Sequence, residues 1–168
     1  MEDEVTSWIR KVEKERNSFD LSKDEDLAIG IMNVVSLEEH FYFSYMKTNN
    51  KRYLDFLQSI RELRKNLMRR IVKNPEGEEW CISKHLLASS MRLYEVGTKD
   101  LGTGDIKSAN FLFDAAFDLY SMFFSINYKI GVENIKNDEI INIETQTSNK
   151  FSKKISEIIK KIVDCCRE

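Results

Sequence analysis

The scarcity of helix-breaking residues is the feature that most restricts what this chain can fold into. Its 168 residues include one proline, Pro75, and six glycines. Proline removes a backbone donor and glycine raises the entropic cost of ordering the backbone, so both residues interrupt helices. Apolar side chains recur at the three- and four-residue spacing of one helix face along most of the chain. The sequence therefore predicts an all-α protein, and we expect a single-domain bundle of five to six mostly antiparallel helices across residues 1–168.

Short polar links separate the predicted helices, and the short links favour antiparallel neighbours. The helical periodicity covers about 3–17, 22–47, 51–73, 78–100 and 105–130. An Asn-, Glu- and Thr-rich stretch over about 132–149 is only weakly periodic and is predicted to be an irregular connection. The last segment, about 148–166, carries a narrow apolar stripe on a Lys-rich background, which predicts a C-terminal amphipathic helix.

The helix predicted over about 105–130 is apolar around most of its circumference, which is typical of a buried element. We therefore expect it to be the central helix of the bundle. In the helix before it, large apolar side chains predict the core side, and small residues nearby would allow a close approach. The predicted core residues are Ile82, Leu86, Leu87, Leu93, Tyr94 and Val96, and the small residues are Ser89, Ser90 and Gly97.

Three charged side chains interrupt apolar helix faces. At 100° per residue, Glu38 and Glu39 fall within the apolar sector of their helix, and Arg64 falls near the middle of the next one. A charge in a core is costly unless it is paired. The favoured interpretation is therefore a buried or half-buried salt bridge that sets the register of two adjacent antiparallel helices.

The same charges also allow a ligand site inside the bundle. Guanidinium groups match the oxygens of phosphate or carboxylate, and carboxylates can hold Mg²⁺ while phosphates complete its shell. Under this alternative, the protein is a small-ligand-binding protein or a metal-dependent enzyme that acts on a phosphorylated or nucleotide substrate. The candidate ligand-binding residues are Glu38, Glu39, Arg61, Arg64, Arg92, Asp114 and Asp118.

One further pair of side chains has metal-ligand chemistry. Cys81 and His85 are four residues apart on a predicted helix, so both can reach one divalent ion. A third ligand would have to come from elsewhere in the chain. The competing interpretation is a solvated stripe that holds a cysteine and a histidine, and no other cofactor is predicted.

Residues 104–119 resemble the second helix of a tetratricopeptide repeat. Ala109, Phe113 and Ala116 match the small–aromatic–small spacing of that helix, and Gly97 lies near the position where the first helix of the repeat carries glycine. No second copy follows at the family's period of about 34 residues. The resemblance implies a closely packed helical hairpin, with peptide binding as an analogy.

No glycine-rich phosphate loop or catalytic nucleophile motif occurs in the sequence. A non-catalytic interaction or assembly module is therefore the favoured function, and the enzyme described above is the alternative. Five aromatic residues are expected to be exposed and to leave more apolar surface than a small bundle hides, namely Phe41, Phe43, Phe111, Phe124 and Tyr128. We therefore expect a homodimer, with a further protein partner as an additional expectation.

Charge and composition indicate which partners and which cellular location to expect. The net charge of −2 gives no reason to expect nucleic acid or an anionic membrane as a partner. No apolar run reaches about 18 residues, so no membrane span is predicted. The start MEDEVTSW is acidic and lacks an apolar segment, and the three cysteines do not suggest a disulfide framework. We therefore expect a cytoplasmic protein.

Overall fold

The computed structural model describes residues 21–129 together with Ser156 and Ile159. This part of the chain contains four helices, α1 (Ser22–Thr48), α2 (Arg52–Ile71), α3 (Glu79–Thr103) and α4 (Ile106–Tyr128). The all-α class is confirmed, and each helix ends within three residues of its predicted bounds. The helix count is lower than the five to six predicted for the whole chain. The predicted helix over 3–17, the connection over 132–149 and most of the helix over 148–166 lie outside the described residues.

Consecutive helices form two antiparallel hairpins, α1–α2 and α3–α4, each with a left-handed residue at the turn. Asn49 is the C-cap of α1, with φ 51°, and its N–H donates to the carbonyl of Tyr45. Gly104 is the C-cap of α3, with φ 84°, a conformation that glycine adopts without a steric penalty. Asp105 follows at once and accepts a hydrogen bond from the backbone N–H of Ser108 at 3.0 Å. This cap satisfies one of the free donors at the start of α4.

The core lies where the two hairpins meet. Its fully buried large side chains come from all four helices and from the C-terminal segment, namely Ile31, Met68, Leu87, Phe123, Phe124 and Ile159. α4 contributes seven buried residues, more than any other helix in this part of the chain. Of the aromatic residues expected to be exposed, Phe111 in the first turns of α4 is 71% exposed, whereas Phe124 near its end is 1% exposed, so the expectation for Phe124 is wrong. None of the four helices in this part of the chain is both long and apolar enough to cross a membrane.

The buried face of α3 is formed mainly by small residues, and the predicted core side of this helix is wrong in part. Ile82, Tyr94 and Val96 were expected in the core and are exposed. The face packed on α4 instead carries Ser83, Leu87, Ser90 and Gly97. Small side chains allow two helix axes to approach closely, so contact area is gained along the backbone rather than through large side chains.

Two contacts show how closely α3 and α4 pack. The Ser90 hydroxyl donates to the backbone carbonyl of Ala116 at 2.7 Å. At Gly97, an added Cβ would lie 2.7 Å from the ring of Phe113, nearer than non-bonded carbon atoms normally approach. This is the closely packed hairpin that the tetratricopeptide resemblance implied.

Polar contacts tie the start of α1 to the end of α4. The Tyr128 hydroxyl donates to the carboxylate of Asp24, and the Tyr120 hydroxyl donates to the backbone carbonyl of Glu25 at 3.3 Å. Burial, followed by the adjacent Asp24 carboxylate, raises the pKa of Tyr128 well above its ordinary value near 10. The neutral phenol is therefore the form that the fold stabilises.

We expect Gly97→Ala to destabilise the protein relative to Gly30→Ala. Both positions lie inside helices, so both variants gain about 0.5–1 kcal/mol of helix propensity. At Gly30, an added Cβ meets no atom within 4 Å, whereas at Gly97 it meets the Phe113 ring. Overpacking costs about 1–3 kcal/mol. Urea unfolding measures both variants, and equal unfolding free energies would contradict the close approach at Gly97.

We expect the unfolding free energy of the Tyr128→Phe variant to decrease less at alkaline pH than that of the wild type. An unfolded tyrosine ionises near pH 10, while Tyr128 in the folded protein stays protonated because its pKa is raised. Its contribution to stability is therefore complete below about pH 10 and decreases as the pH rises further. Denaturant titrations at pH 7 and at about pH 10–11 should show a shallower decline for the variant, after a loss of about 1 kcal/mol at pH 7 from the missing hydrogen bond. Parallel pH profiles for the two proteins would refute this assignment.

Candidate functional site

Glu38 on α1 and Arg64 on α2 form a buried ion pair. The Nε of Arg64 donates to Oε1 of Glu38 at 2.5 Å, and the two side chains are 4% and 16% exposed. Nη1 of Arg64 also lies 3.6 Å from the sulfur of Met68, which is a weak acceptor. The pair therefore lies within the α1–α2 interface, where the favoured interpretation of the sequence placed a salt bridge.

The neighbouring glutamate contacts a different helix. The carboxylate of Glu39 accepts a hydrogen bond from Nη2 of Arg92 on α3, and Nη1 of the same guanidinium donates to Glu95 at 2.6 Å. The Arg92 and Glu39 side chains are 47% and 42% exposed, so this pair is solvated. Successive helix residues point about 100° apart, and this step turns the two glutamates towards different neighbours. Together they connect α1 to both α2 and α3.

A cleft of about 290 Å³ lies between α1 and α3 beside the Glu39–Arg92 pair. Half of its lining residues are apolar and half are polar or charged. They are Met32, Val35, Ser36, Glu39, Ala88, Ser89, Met91 and Arg92. The volume is close to the lower end of small-ligand pockets, which is about 300 Å³. The guanidinium and the two serine hydroxyls supply donors that suit an anion, and the bound carboxylate of Glu39 competes for the same guanidinium.

The other candidate ligand residues lie elsewhere. Arg61 is exposed on α2 and forms no ion pair with the described residues. Asp114 is exposed on α4, and Asp118 accepts a hydrogen bond from the hydroxyl of the buried Ser156. None of these three residues lines the α1–α3 cleft. The contacts thus divide the seven candidates between a buried pair, a solvated pair beside the cleft, and three separate positions.

Cys81 and His85 lie on the exposed side of α3. Their spacing places them on one face, as predicted. Among the described residues, no group of three or more histidine, cysteine or acidic side chains is arranged to hold a metal ion. Zinc sites generally use three or four protein ligands. The described part of the chain therefore supplies two candidate ligands at this position and no third.

Most of the cleft was missed by the sequence analysis. Glu39 and Arg92 were among the candidates, but Met32, Ser36 and Ala88 were not. These are ordinary helix residues without a motif, and they meet because α1 lies beside a helix that is not its neighbour in the sequence. Charged residues within apolar faces were the one signal that pointed to this part of the molecule.

We expect the Glu38–Arg64 pair to be coupled more strongly than the Glu39–Arg92 pair. Arg64→Met leaves the Glu38 carboxylate without its partner in a mostly buried position, at a cost of about 3–5 kcal/mol. Adding Glu38→Leu should restore most of that loss, because replacing both charges removes the unpaired one. The matched cycle with Arg92→Met and Glu39→Leu should give a coupling of at most about 1 kcal/mol, because both side chains are solvated.

Urea unfolding of the single and double variants measures both coupling free energies. A coupling as weak for the buried pair as for the solvated one would show that Arg64 does not set the register of α1 on α2.

Comparison of the chain with known families, characterised proteins and solved structures brought no match: no family model fits it, and no curated protein or solved structure is similar to it. The likeness of residues 104–119 to a tetratricopeptide helix is therefore confined to the geometry of one hairpin.

Proposed function

We propose that this chain is a non-catalytic helical module that acts through interaction or assembly as a homodimer. The observation that carries the proposal is the amount of large apolar side chain exposed on the described helices. The exposed residues are Ile29, Leu37, Tyr42, Phe43, Met46, Leu54, Phe56, Leu63, Ile82, Tyr94, Val96, Leu101, Ile106 and Phe111. Exposed apolar side chains that form a continuous patch are typical of protein-interaction sites, and aromatic residues are enriched in the centres of such sites.

The contacts of the charged residues support a structural role rather than a catalytic one. Arg64 is held by Glu38, and Arg92 is shared between Glu39 and Glu95. These groups are occupied by helix–helix or intrahelical partners in the folded chain. A catalytic acid, base or anion clamp needs groups that remain able to reach a substrate.

The proposed homodimer is the commonest closed assembly for a soluble chain. A cytoplasmic location is proposed with it, supported by the exposed Cys81, which forms no disulfide in the described part of the chain. The net charge of −2 favours a protein surface over nucleic acid as the partner. A second form of the proposal is that the same apolar surface binds a different protein instead of a second copy of this chain.

Sedimentation equilibrium tests the homodimer. The chain has a mass of 19.8 kDa, and we expect a species of about twice that mass at roughly micromolar concentration. A single monomeric species over that range would contradict the homodimer, and the surface would then be assigned to a different protein.

The cleft between α1 and α3 favours a second candidate function, the binding of a small anionic ligand such as a phosphorylated or nucleotide compound. Thermal unfolding with inorganic phosphate and with nucleotides, with and without Mg²⁺, tests it, because a ligand that binds only the folded state raises the melting temperature. We expect Arg92→Gln to abolish the shift and the control Arg61→Gln, outside the cleft, to keep it. Absence of a shift with every probe would eliminate this candidate.

A further inference from the structure

The cleft between α1 and α3 is apolar on the side of the core and charged at its rim. Met32 is buried and belongs to the core, and Val35 of α1 and Met91 of α3 pack against the core from the two sides of the cleft. Glu39 and Arg92 line the same cleft and are 42% and 47% exposed. A ligand in the cleft therefore meets apolar side chains inside and one acidic and one basic group at the rim.

Several polar groups of the cleft have hydrogen-bonding capacity that the fold does not use. The carboxylate of Glu39 is bonded through Oε2, and the guanidinium of Arg92 is bonded through its two Nη atoms. Within the described part of the chain, Oε1 of Glu39 and Nε of Arg92 form no hydrogen bond, and neither do the hydroxyls of Ser36 and Ser89. Small-molecule sites combine an apolar lining with a few such polar groups, which fix the orientation of the ligand.

The balance of charge at the rim favours a ligand that carries both signs. Arg92 is bonded to Glu39 and to Glu95, so these three side chains carry two negative charges and one positive charge. A ligand that is only negative is opposed by the surplus carboxylate, and one that is only positive cannot bond to the guanidinium. Because Glu39 and Arg92 are themselves in contact, the two charges of the ligand must lie close together, as they do in an α-amino acid.

We propose that the α1–α3 cleft binds an α-amino acid with an apolar side chain. The ammonium group donates to Oε1 of Glu39, and the carboxylate accepts from the Nε–H of Arg92. The apolar side chain lies against Met32, Val35 and Met91, and methionine adapts readily to the shape of its neighbours. A volume of about 290 Å³ suits one such molecule better than a nucleotide. This inference rests on the ligand-binding candidate of the proposed function and names its ligand class.

Three small molecules with the same apolar part test the ligand class by isothermal titration calorimetry. Leucine carries both charges, isocaproate lacks the ammonium group, and isopentylamine lacks the carboxylate. We expect leucine to bind at millimolar concentration or below. Each analogue should bind at least about tenfold more weakly, because it loses a hydrogen bond between charged groups and leaves one partner in the cleft unsatisfied.

Two variants test the site, and two matched variants on α2 are their controls. Glu39→Gln weakens the acceptor for the ammonium group, and Arg92→Gln removes the guanidinium that holds the carboxylate. We expect each to weaken leucine binding at least about tenfold, and the controls Glu62→Gln and Arg61→Gln, outside the cleft, to leave it within about twofold. Glu39 and Arg92 are both solvated, so the variants should stay folded, which circular dichroism checks.

The outcomes separate this inference from the proposed function. Absence of leucine binding, or binding of either analogue as tight as that of leucine, would overturn the ligand class. Leucine binding that survives both cleft variants would overturn the site. A thermal shift with phosphate or nucleotides but no binding of leucine would overturn this inference and leave the anion-binding candidate in place. Sedimentation equilibrium tests the homodimer independently of all these results.

Discussion

The buried ion pair between Glu38 and Arg64 is the contact on which the arrangement of the first hairpin depends. Within an apolar interface, a slip in register would separate the two charges and leave each without a partner, at a cost of several kcal/mol. The pair adds little net stability over an apolar replacement, but it penalises every other alignment of α1 on α2. Once α1 is aligned, Glu39 necessarily points about 100° further round, towards Arg92 on α3.

The second hairpin is held together differently. α3 and α4 approach along small residues, so that the Ser90 hydroxyl reaches a backbone carbonyl on α4 and the Phe113 ring lies against Gly97. Close backbone approach leaves little freedom of alignment, because larger side chains would not fit. One hairpin thus contains a buried charge pair, and the other contains a close approach along small residues. The two hairpins share one core.

The charged residues and the exposed apolar residues differ in what they contact within the described part of the chain. The unusual charges, Glu38, Glu39 and Arg64, are all bound to partners within the fold. The uncovered groups are large apolar side chains such as Phe111 and Met46, which are 71% and 61% exposed. These two observations are the basis on which we propose an interaction surface.

The sequence by itself determined the all-α class, the approximate bounds of the four described helices and the presence of charges in apolar faces. These properties follow from local physics. Pro75, Gly104 and Asp105 act on the backbone near them, and helical periodicity is visible within one segment. Arg64 could be recognised as exceptional because the pattern that it violates belongs to its own helix.

Only the tertiary structure decided which residues meet. It selected the small-residue face of α3 over the larger apolar side chains Ile82 and Tyr94, because the contact with α4 depends on backbone approach rather than on hydrophobicity alone. It sent Glu38 and Glu39 to different helices, and it created the cleft from residues about 50 positions apart in the sequence. Helix packing is non-local. The pattern within one helix therefore does not specify which other helix a given face will contact.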